Sequence, residues 1–389
     1  MGLLLLWCPV AAALTLDEAV QRAGEVDPDA VIASLTWKRD RLGSTETAVN
    51  LGVSASASVR KTWGDALGTN TPDLVFSVPI VDIGGWFDAL QEAAQVRESR
   101  WSADATRLDA QYAAAALYYD VLAAEAGIRA ARDGKALAEA TAQAIAARVA
   151  AGLDNELTGR SAQLGLLQAQ ASLATNEARL EITQARLARA LQQPLDTLTP
   201  ADIPALPAEG GISPWIQAQE EALAAAKLGH AQRIGELLPD ATLSTSTNLL
   251  SSAGAAPLTA WSVSLGASWS FDGLAGPFLR ERQAAVDVDI AEVQLDAIQQ
   301  DYALALTEAR ARARAADRVA EAAQARESLA DSSLKIGQSR LEVGLASSLE
   351  VLRLQDDAAT ARADRVTAEL ERALARLEAR RIVGLGWGS

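Results

Sequence analysis

The chain has 389 residues, a net charge of −15, and 49% hydrophobic but only 4% aromatic residues. A chain this acidic offers no basic surface for a nucleic acid. Its single Cys cannot form an internal disulfide, and one Cys with one His is too few for a structural zinc site. No phosphate-binding loop or nucleophile motif is present. The sequence therefore predicts neither an enzyme nor a cofactor, and His230 is interpreted as a polar residue on a helix or its flank.

The N-terminal segment is typical of a secretory signal peptide. The apolar run at 3–14 is too short to span a bilayer. Ala11 and Ala13 form an A-x-A cleavage site, although no Lys or Arg precedes the run. Cys8 follows Trp7 rather than a small residue, so an ordinary signal peptide is favoured over lipidation. We expect the mature chain to be exported from the cytoplasm.

Four segments alternate apolar and polar residues, which predicts strands with two different faces. Residues 261–271 alternate most regularly, with Trp261, Trp269 and Phe271 on the apolar side and small uncharged residues opposite. This pattern is expected of a lipid-facing strand with aromatic girdles. The other predicted strands are 51–59, 74–81 and 241–249.

Four strands cannot close into a membrane barrel by themselves. An open edge in lipid leaves backbone groups unpaired, at several kcal/mol each, and the smallest membrane barrels have about eight strands. Several copies of the chain must therefore share one barrel. This argument requires an oligomer but does not choose its number.

Long helices follow each pair of strands. Residues 86–151 and 277–343 are almost uninterrupted helix formers, and each such helix would span about 100 Å. Shorter helices are predicted at 16–48, 155–191, 215–236 and 347–382.

Each helix that returns from a long one carries two apolar stripes, which requires two neighbours per helix, as in a ring of helices. In the first returning helix the stripes are Leu166, Leu173, Leu180, Leu187 and Leu164, Ala171, Ala178, Ala185. In the second they are Leu349, Leu352, Asp356, Ala359, Ala363, Val366, Leu370, Ala373, Leu377 and Leu354, Ala361, Ala368, Ala375.

The two halves of the chain repeat one plan. RVAAGLDNELTGRSAQ at 148–163 is similar to RLEVGLASSLEVLRLQ at 340–355, and a Pro-rich, extended linker joins the halves. The predicted organisation is a signal peptide (1–13), a first repeat (14–193), the linker (194–214), a second repeat (215–383) and a C-terminal tail (384–389).

This order of elements resembles the TolC-like family of outer-membrane efflux proteins over nearly all of the mature chain. Local signatures are LTLDEAVQRAGEVDPDAV, LLPDATLSTS and the two turns RVAAGLDNEL and RLEVGLASSLEVLRLQ. The resemblance implies a mainly α fold with a small β part. Tandem-duplicated long helical hairpins would form an α-barrel tunnel, and the four strands would contribute to a trimeric, twelve-stranded transmembrane β-barrel.

The same resemblance implies a homotrimer in the outer membrane of a Gram-negative bacterium, in contact with outer-membrane lipid and with its helical part in the periplasm. It also implies a periplasmic adaptor protein as partner, with an inner-membrane transporter beyond it. The expected function is a passive exit duct of a tripartite efflux or type I secretion system. Drug efflux, metal efflux and protein secretion share this duct, and the sequence does not choose among them. The alternative is a non-conducting periplasmic coiled-coil scaffold or adaptor.

By this resemblance the two R-x-x-x-G-L turns are the periplasmic tips that contact the adaptor. A Gly at each turn permits the left-handed backbone that a tight helix turn requires. The residues matched to the tips are Gly152, Leu153, Gly344, Leu345 and Ser347.

The family often carries an acidic ring just beyond the second tip, and three residues here are candidates for an entrance gate. Glu350 matches one ring position, while Arg353 stands where a second carboxylate is expected. A Glu/Arg ring could lock the closed state by ion pairs between protomers. The simpler interpretation is an exposed i,i+3 pair worth a few tenths of a kcal/mol. Asp356 interrupts an apolar stripe, so it is expected to face the lumen or to set the register.

Overall fold

The computed structural model describes residues 13–50, 54–62, 69–195, 197–207, 213–248, 261–268 and 276–387. Most of the predicted signal peptide, including Cys8, therefore lies outside the described residues. The elements are α1 (Leu16–Val26), α2 (Pro28–Asn50), β1 (Ser54–Thr62), β2 (Thr69–Val81), α3 (Ile83–Ala150), α4 (Glu156–Leu191), α5 (Pro214–Gly235), β3 (Asp240–Asn248), β4 (Trp261–Ser268), α6 (Gly276–Glu342) and α7 (Ser348–Val383).

The helices agree closely with the sequence pattern. The long helices α3 and α6 run without interruption and begin and end within three residues of the predicted bounds. A helix, a strand pair, a long helix and a returning helix occur twice in the same order. None of the helices in the described ranges is apolar and long enough to cross a membrane.

The prediction of a single helix over 16–48 is wrong, because the helix is interrupted at Asp27. Proline disfavours helical backbone in the residue before it, and Asp27 accordingly has ψ 128°. The Asp27 side chain accepts hydrogen bonds from the backbone N–H groups of Asp29 and Ala30, at 3.0 and 3.1 Å. It therefore caps the helix that starts at Pro28.

The four strands form one antiparallel sheet in the order β1-β2-β3-β4. Two strands differ from the prediction. The first continues to Thr62, three residues past its predicted end, while its predicted start at 51–53 lies outside the described residues. The second begins at Thr69 rather than at residue 74. Alternation is weak in the Thr/Asn-rich start of β2, so the pattern missed it. A register shift between Pro79 and Val81 interrupts the β2–β3 pairing, where proline has no N–H to donate.

Contacts divide the chain into two units, of which the first includes the chain up to Val31, Thr106–Ser213 and the chain from Tyr302 onward. Within this unit Tyr118 is fully buried, and its hydroxyl lies 2.6 Å from the Thr199 carbonyl oxygen and 2.9 Å from that of Leu14. The linker is thereby held against the long helix. The surrounding core consists of Ala19, Ala23, Ala114, Val121, Leu187 and Leu191.

In the first returning helix, α4, only one of the two predicted apolar stripes is covered within a single chain. The stripe that ends at Leu187 is buried or half-buried. The second stripe is exposed along its whole length; its members are Leu164, Ala171, Ala178 and Ala185.

The main stripe predicted on α7 is displaced near its start. Leu349, Asp356 and Ala359 are exposed, because the face packed against the rest of the chain lies one residue away. Toward the end of the helix the predicted stripe is buried again, at Val366, Ala373 and Leu377. The buried positions near the start are Ser348, Val351, Gln355 and Ala358.

The second unit comprises Ile32–Ala105 and Pro214–Asp301 and contains the sheet. Here α5 packs closely on the start of α3, since a Cβ added at Gly235 would lie 3.0 Å from the backbone nitrogen of Gly84. Further along α5, ion pairs join it to both long helices: Glu221 pairs with Arg97 of α3 at 2.8 Å, and Lys227 pairs with Glu292 of α6 at 3.0 Å.

Candidate functional site

One face of the sheet carries small hydroxyl side chains. The register places Ser244 opposite Ser264 and Ser246 opposite Ser262. The paired hydroxyl oxygens are 2.8 and 2.9 Å apart, so each pair forms a hydrogen bond across the strands. These side chains leave a polar, uncharged surface without bulky groups.

The opposite face of the sheet is apolar and uncovered in the single chain. Leu243 pairs with Leu265 in the register, and the side chain of Leu265 is 72% exposed. The other exposed apolar residues on the described strands are Phe76, Val78, Ile80 and Val263. A strand pair with one apolar and one hydroxyl face is suited to separating lipid from water.

The predicted aromatic girdle remains a prediction. Trp261 is the first residue of β4, but its side chain is not described. Trp269 and Phe271 lie outside the described residues.

Both predicted tips are tight turns with a left-handed glycine. Gly152 has φ 73° and Gly344 has φ 77°. The backbone N–H of Leu153 donates to the Arg148 carbonyl at 2.9 Å, and that of Leu345 donates to the Arg340 carbonyl at 2.7 Å. These bonds satisfy carbonyl groups at the ends of the two long helices.

Each of these turns presents an exposed leucine. Leu153 is 67% and Leu345 is 69% exposed, although a large apolar side chain gains free energy by burial. Ser347, matched to the tip by sequence, is the N-cap of α7, and its hydroxyl accepts a hydrogen bond from the Glu350 backbone N–H at 3.2 Å.

A polar contact connects the first of the two turns, which is the first predicted tip, to the start of α7. The Asp154 carboxylate accepts a hydrogen bond from the Ser348 hydroxyl at 2.6 Å and another from Arg148 Nε at 2.8 Å. Ser348 is buried, with 1% exposure. The Ser348 bond, and after it the Arg148 guanidinium, hold the pKa of Asp154 below its usual value. We call this arrangement the tip tether.

The tip tether was not predicted from the sequence. A signal was present, because the two turns are otherwise similar but Asp154 of the first has Ala346 as its counterpart in the second. That difference shows that only the first repeat has a carboxylate at this position of the turn.

The three gate candidates do not form one cluster. Glu350 faces Arg340, with 3.7 Å between carboxylate oxygen and guanidinium nitrogen. Arg353 is exposed and has no hydrogen bond or ion pair with the described part of the chain. The i,i+3 pair of Glu350 with Arg353 on one helix is therefore not formed, because the preceding helix supplies a different partner for the carboxylate. The pairing of Glu350 and Arg353 between protomers stays a prediction.

Asp356 lines a groove of about 410 Å³ between α3, α4 and α7. Although the Asp356 side chain is exposed overall, partial desolvation in the groove, and after it the neighbouring charge of Asp357, raise the pKa of Asp356. Gln355 lines the same groove and is buried, and its side-chain oxygen has no hydrogen-bond partner among the described residues.

His230 forms a polar contact between two helices. Its Nε2 lies 2.9 Å from Glu281 Oε1, and both side chains are 30% exposed. Within the described ranges, no group of three or more His, Cys, Asp and Glu side chains could hold a metal ion.

Comparisons with known proteins place these features in a family. The model of the family described as outer membrane efflux protein matches residues 31–192 and 213–385. Comparison with curated protein sequences gives no significant match.

Solved structures share the fold. CusC, whose crystal structures concern conformational changes in folding and transmembrane channel formation, is 16% identical to this chain, with a TM-score of 0.85. The match covers 95% of this chain and 92% of that chain. The open state of the Neisseria gonorrhoeae outer membrane channel MtrE has 17% identity and a TM-score of 0.83, with 95% and 88% covered. The outer membrane protein VceC from Vibrio cholerae has 16% identity and a TM-score of 0.79, with 96% of each chain covered.

Proposed function

Because this chain belongs to the outer membrane efflux protein family, we propose that it is the outer-membrane exit duct of a tripartite efflux or type I secretion system. It conducts substrates passively from periplasmic partners to the exterior. The single observation that carries this proposal is the two-faced sheet, with hydrogen-bonded serines on one side and exposed aliphatic residues on the other.

The sheet supports a barrel shared between copies. Its outer strands β1 and β4 each pair on one side only with another described strand. In lipid such edges leave backbone groups without hydrogen bonds. Three copies would join these edges into a closed barrel of twelve strands, with the serine face lining a water-filled lumen.

The helices support the same assembly. The stripe of α4 that contains Leu164 and Ala171 is uncovered within one chain, as is the start of the predicted stripe on α7. A ring of protomers would cover such stripes, in the manner of coiled-coil packing. We propose that this ring forms the periplasmic tunnel of the homotrimer, and that the two repeats, 14–193 and 215–383, each supply one part of its wall.

The tips are proposed as the contact with the periplasmic adaptor, which links the duct to an inner-membrane transporter. The exposed leucines Leu153 and Leu345 suit an apolar docking contact. Glu350, Arg353 and Asp356 are proposed to line the entrance close to these tips. A docked adaptor opens the entrance only if it contacts the open state more favourably than the closed one.

The tip tether gives a first prediction. Asp154→Ala is expected to loosen the start of α7, because it leaves the buried Ser348 hydroxyl without its acceptor, at about 1–3 kcal/mol. Hydrogen exchange of amides near the two turns should accelerate by about 5- to 150-fold. Ser161→Ala is the matched control, since the Ser161 hydroxyl bonds only its own helix, at the Leu157 carbonyl. Equal exchange in both variants would contradict a role for the tether.

The tether also predicts a pH dependence. Asp154 has a lowered pKa in the folded chain, so its stabilising contribution is fully present above the unfolded value of about 3.9. It is lost as pH falls through the lower folded pKa. We expect the protection factors of the amides at the tips, which correct for the pH dependence of intrinsic exchange, to be high at neutral pH and to fall only in strong acid. A fall in protection near neutral pH in the wild type but not in Asp154→Ala would show that the pKa is raised instead.

Planar-bilayer recording tests the proposed function. The purified protein is expected to give long-lived ionic conductance, and to require detergent for extraction from membranes. Release into buffer without detergent, together with no conductance, would favour the non-conducting periplasmic scaffold.

A further inference from the structure

We propose that the helical turns next to the sheet contact lipid, in addition to the strands. These turns bind the phosphate headgroups of the leaflet that faces the periplasm. We define this surface as the collar: residues 82–90, 230–238 and 276–282. The inference rests on the proposed function, because it requires the sheet to lie in the outer membrane.

The three parts of the collar lie together. Gly84 at the start of α3 contacts Gly235 at the end of α5. His230 of α5 bonds Glu281 in the first turns of α6. The collar also directly adjoins the sheet, since β2 ends at Val81 and β3 begins at Asp240.

Large apolar side chains on the collar are exposed close to the end of the sheet. Trp86 is 54% exposed, and Leu279 is 63% exposed. On the sheet, Ile80 is exposed at the end of β2 nearest to the collar. The remaining exposed apolar residues of the collar are Leu90, Ile234, Leu238 and Phe278.

The position of Trp86 suits the boundary between lipid and water. Tryptophan favours the boundary between lipid and water, and Trp86 stands one turn into α3.

The charges of the collar favour phosphate rather than a second protein surface. Each of its acidic side chains already has a partner: Asp82 bonds the Gly85 N–H, Asp88 accepts from Gln232, Glu236 pairs with Arg233, and Glu281 contacts His230. Arg280 and Arg282 are exposed and form no hydrogen bond or ion pair within the described part of the chain. Residues two apart on a helix point in different directions, so each guanidinium would meet its own headgroup. A free guanidinium beside exposed aliphatic and aromatic residues matches a lipid headgroup and its acyl chain.

Site-specific fluorescence tests the contact. In a Cys8→Ser background, the fluorophore bimane is attached to Trp86→Cys or to Trp101→Cys, and each variant is reconstituted with brominated phospholipid. Trp101 is the matched control, because it lies on the same helix about 22 Å further along. We expect quenching by the brominated lipid to be at least about twofold stronger at position 86 than at 101. Leu90→Cys repeats the test if Trp86→Cys does not fold.

Two results would overturn the inference. Equal quenching at both positions, in variants that still conduct, would refute the lipid contact and leave the proposed duct intact. Shielding of position 86 from both brominated lipid and aqueous iodide would mean that a second copy covers the collar. Loss of conductance in the unlabelled protein would instead remove the proposed function on which the inference rests.

The arginines have a separate test. The double variant Arg280→Gln/Arg282→Gln is expected to retain severalfold less anionic phospholipid on purification, as measured by native mass spectrometry. Arg318→Gln is the control, since Arg318 is another exposed arginine of α6. Equal retention in both variants would exclude headgroup binding at the collar.

Discussion

Leu265→Arg is expected to prevent assembly in the outer membrane. The Leu265 side chain is on the apolar face of β4 and is 72% exposed in the single chain. An arginine on the lipid face of a membrane strand costs about 2–4 kcal/mol near the bilayer centre, and a homotrimer carries it three times. The measurement is the fraction of protein recovered in the outer membrane as trimers.

Ser264→Arg is the matched control for Leu265→Arg. Ser264 is the preceding residue of the same strand, and its hydroxyl faces Ser244 on the polar side. An arginine there would stand in water, so we expect normal assembly and a conductance shifted toward anions. If Ser264→Arg blocked assembly and Leu265→Arg did not, the assignment of the two faces would be reversed.

Gly344→Pro is expected to abolish export while leaving trimers intact. Proline fixes φ near −65°, whereas Gly344 has φ 77°, so the second tip must rebuild. Proline also removes the N–H that donates to the Leu341 carbonyl at 3.0 Å. Export is measured by the sensitivity of cells to an exported compound, and trimers by electrophoresis without heating.

Gly344→Asn tests whether the turn at position 344 requires left-handed backbone or the absence of a side chain. Asparagine tolerates left-handed backbone, and a Cβ at Gly344 would meet no atom within 4 Å. We therefore expect this variant to export nearly as well as the wild type.

For Gly344→Pro, loss of trimers would refute the assignment of this turn to a free tip.

The secondary structure could be predicted because most of its signals are local. α3 and α6 lack proline after their first turn, so helix-forming residues continue over 68 and 67 positions. The alternation of Ser262, Val263, Ser264 and Leu265 is equally local, and the register places the matching serines of β3 opposite. The break at Asp27 was visible in the sequence as Asp-Pro, but the helix-forming residues on both sides outweighed it in the prediction.

The details of the candidate site depend on contacts distant in sequence. The tip tether joins Asp154 to Ser348, and no periodicity relates these two positions. The same limitation explains Glu350, whose partner Arg340 lies across the turn rather than on its own helix. The sequence pattern of an apolar stripe also does not show which neighbouring helix covers that stripe. Near its start, α7 packs through Val351 and Ala358, while the predicted Leu349 faces outward.

The central claim is that the serine face of the sheet lines a conducting lumen and the aliphatic face meets lipid. The most direct measurement records single channels of Ser264→Cys and Leu265→Cys, in a Cys8→Ser background, while a bulky water-soluble thiol reagent is added. We predict that the current through Ser264→Cys falls in up to three steps and that the current through Leu265→Cys stays constant. A block of Leu265→Cys alone, or no conductance from the unmodified protein, would contradict the account.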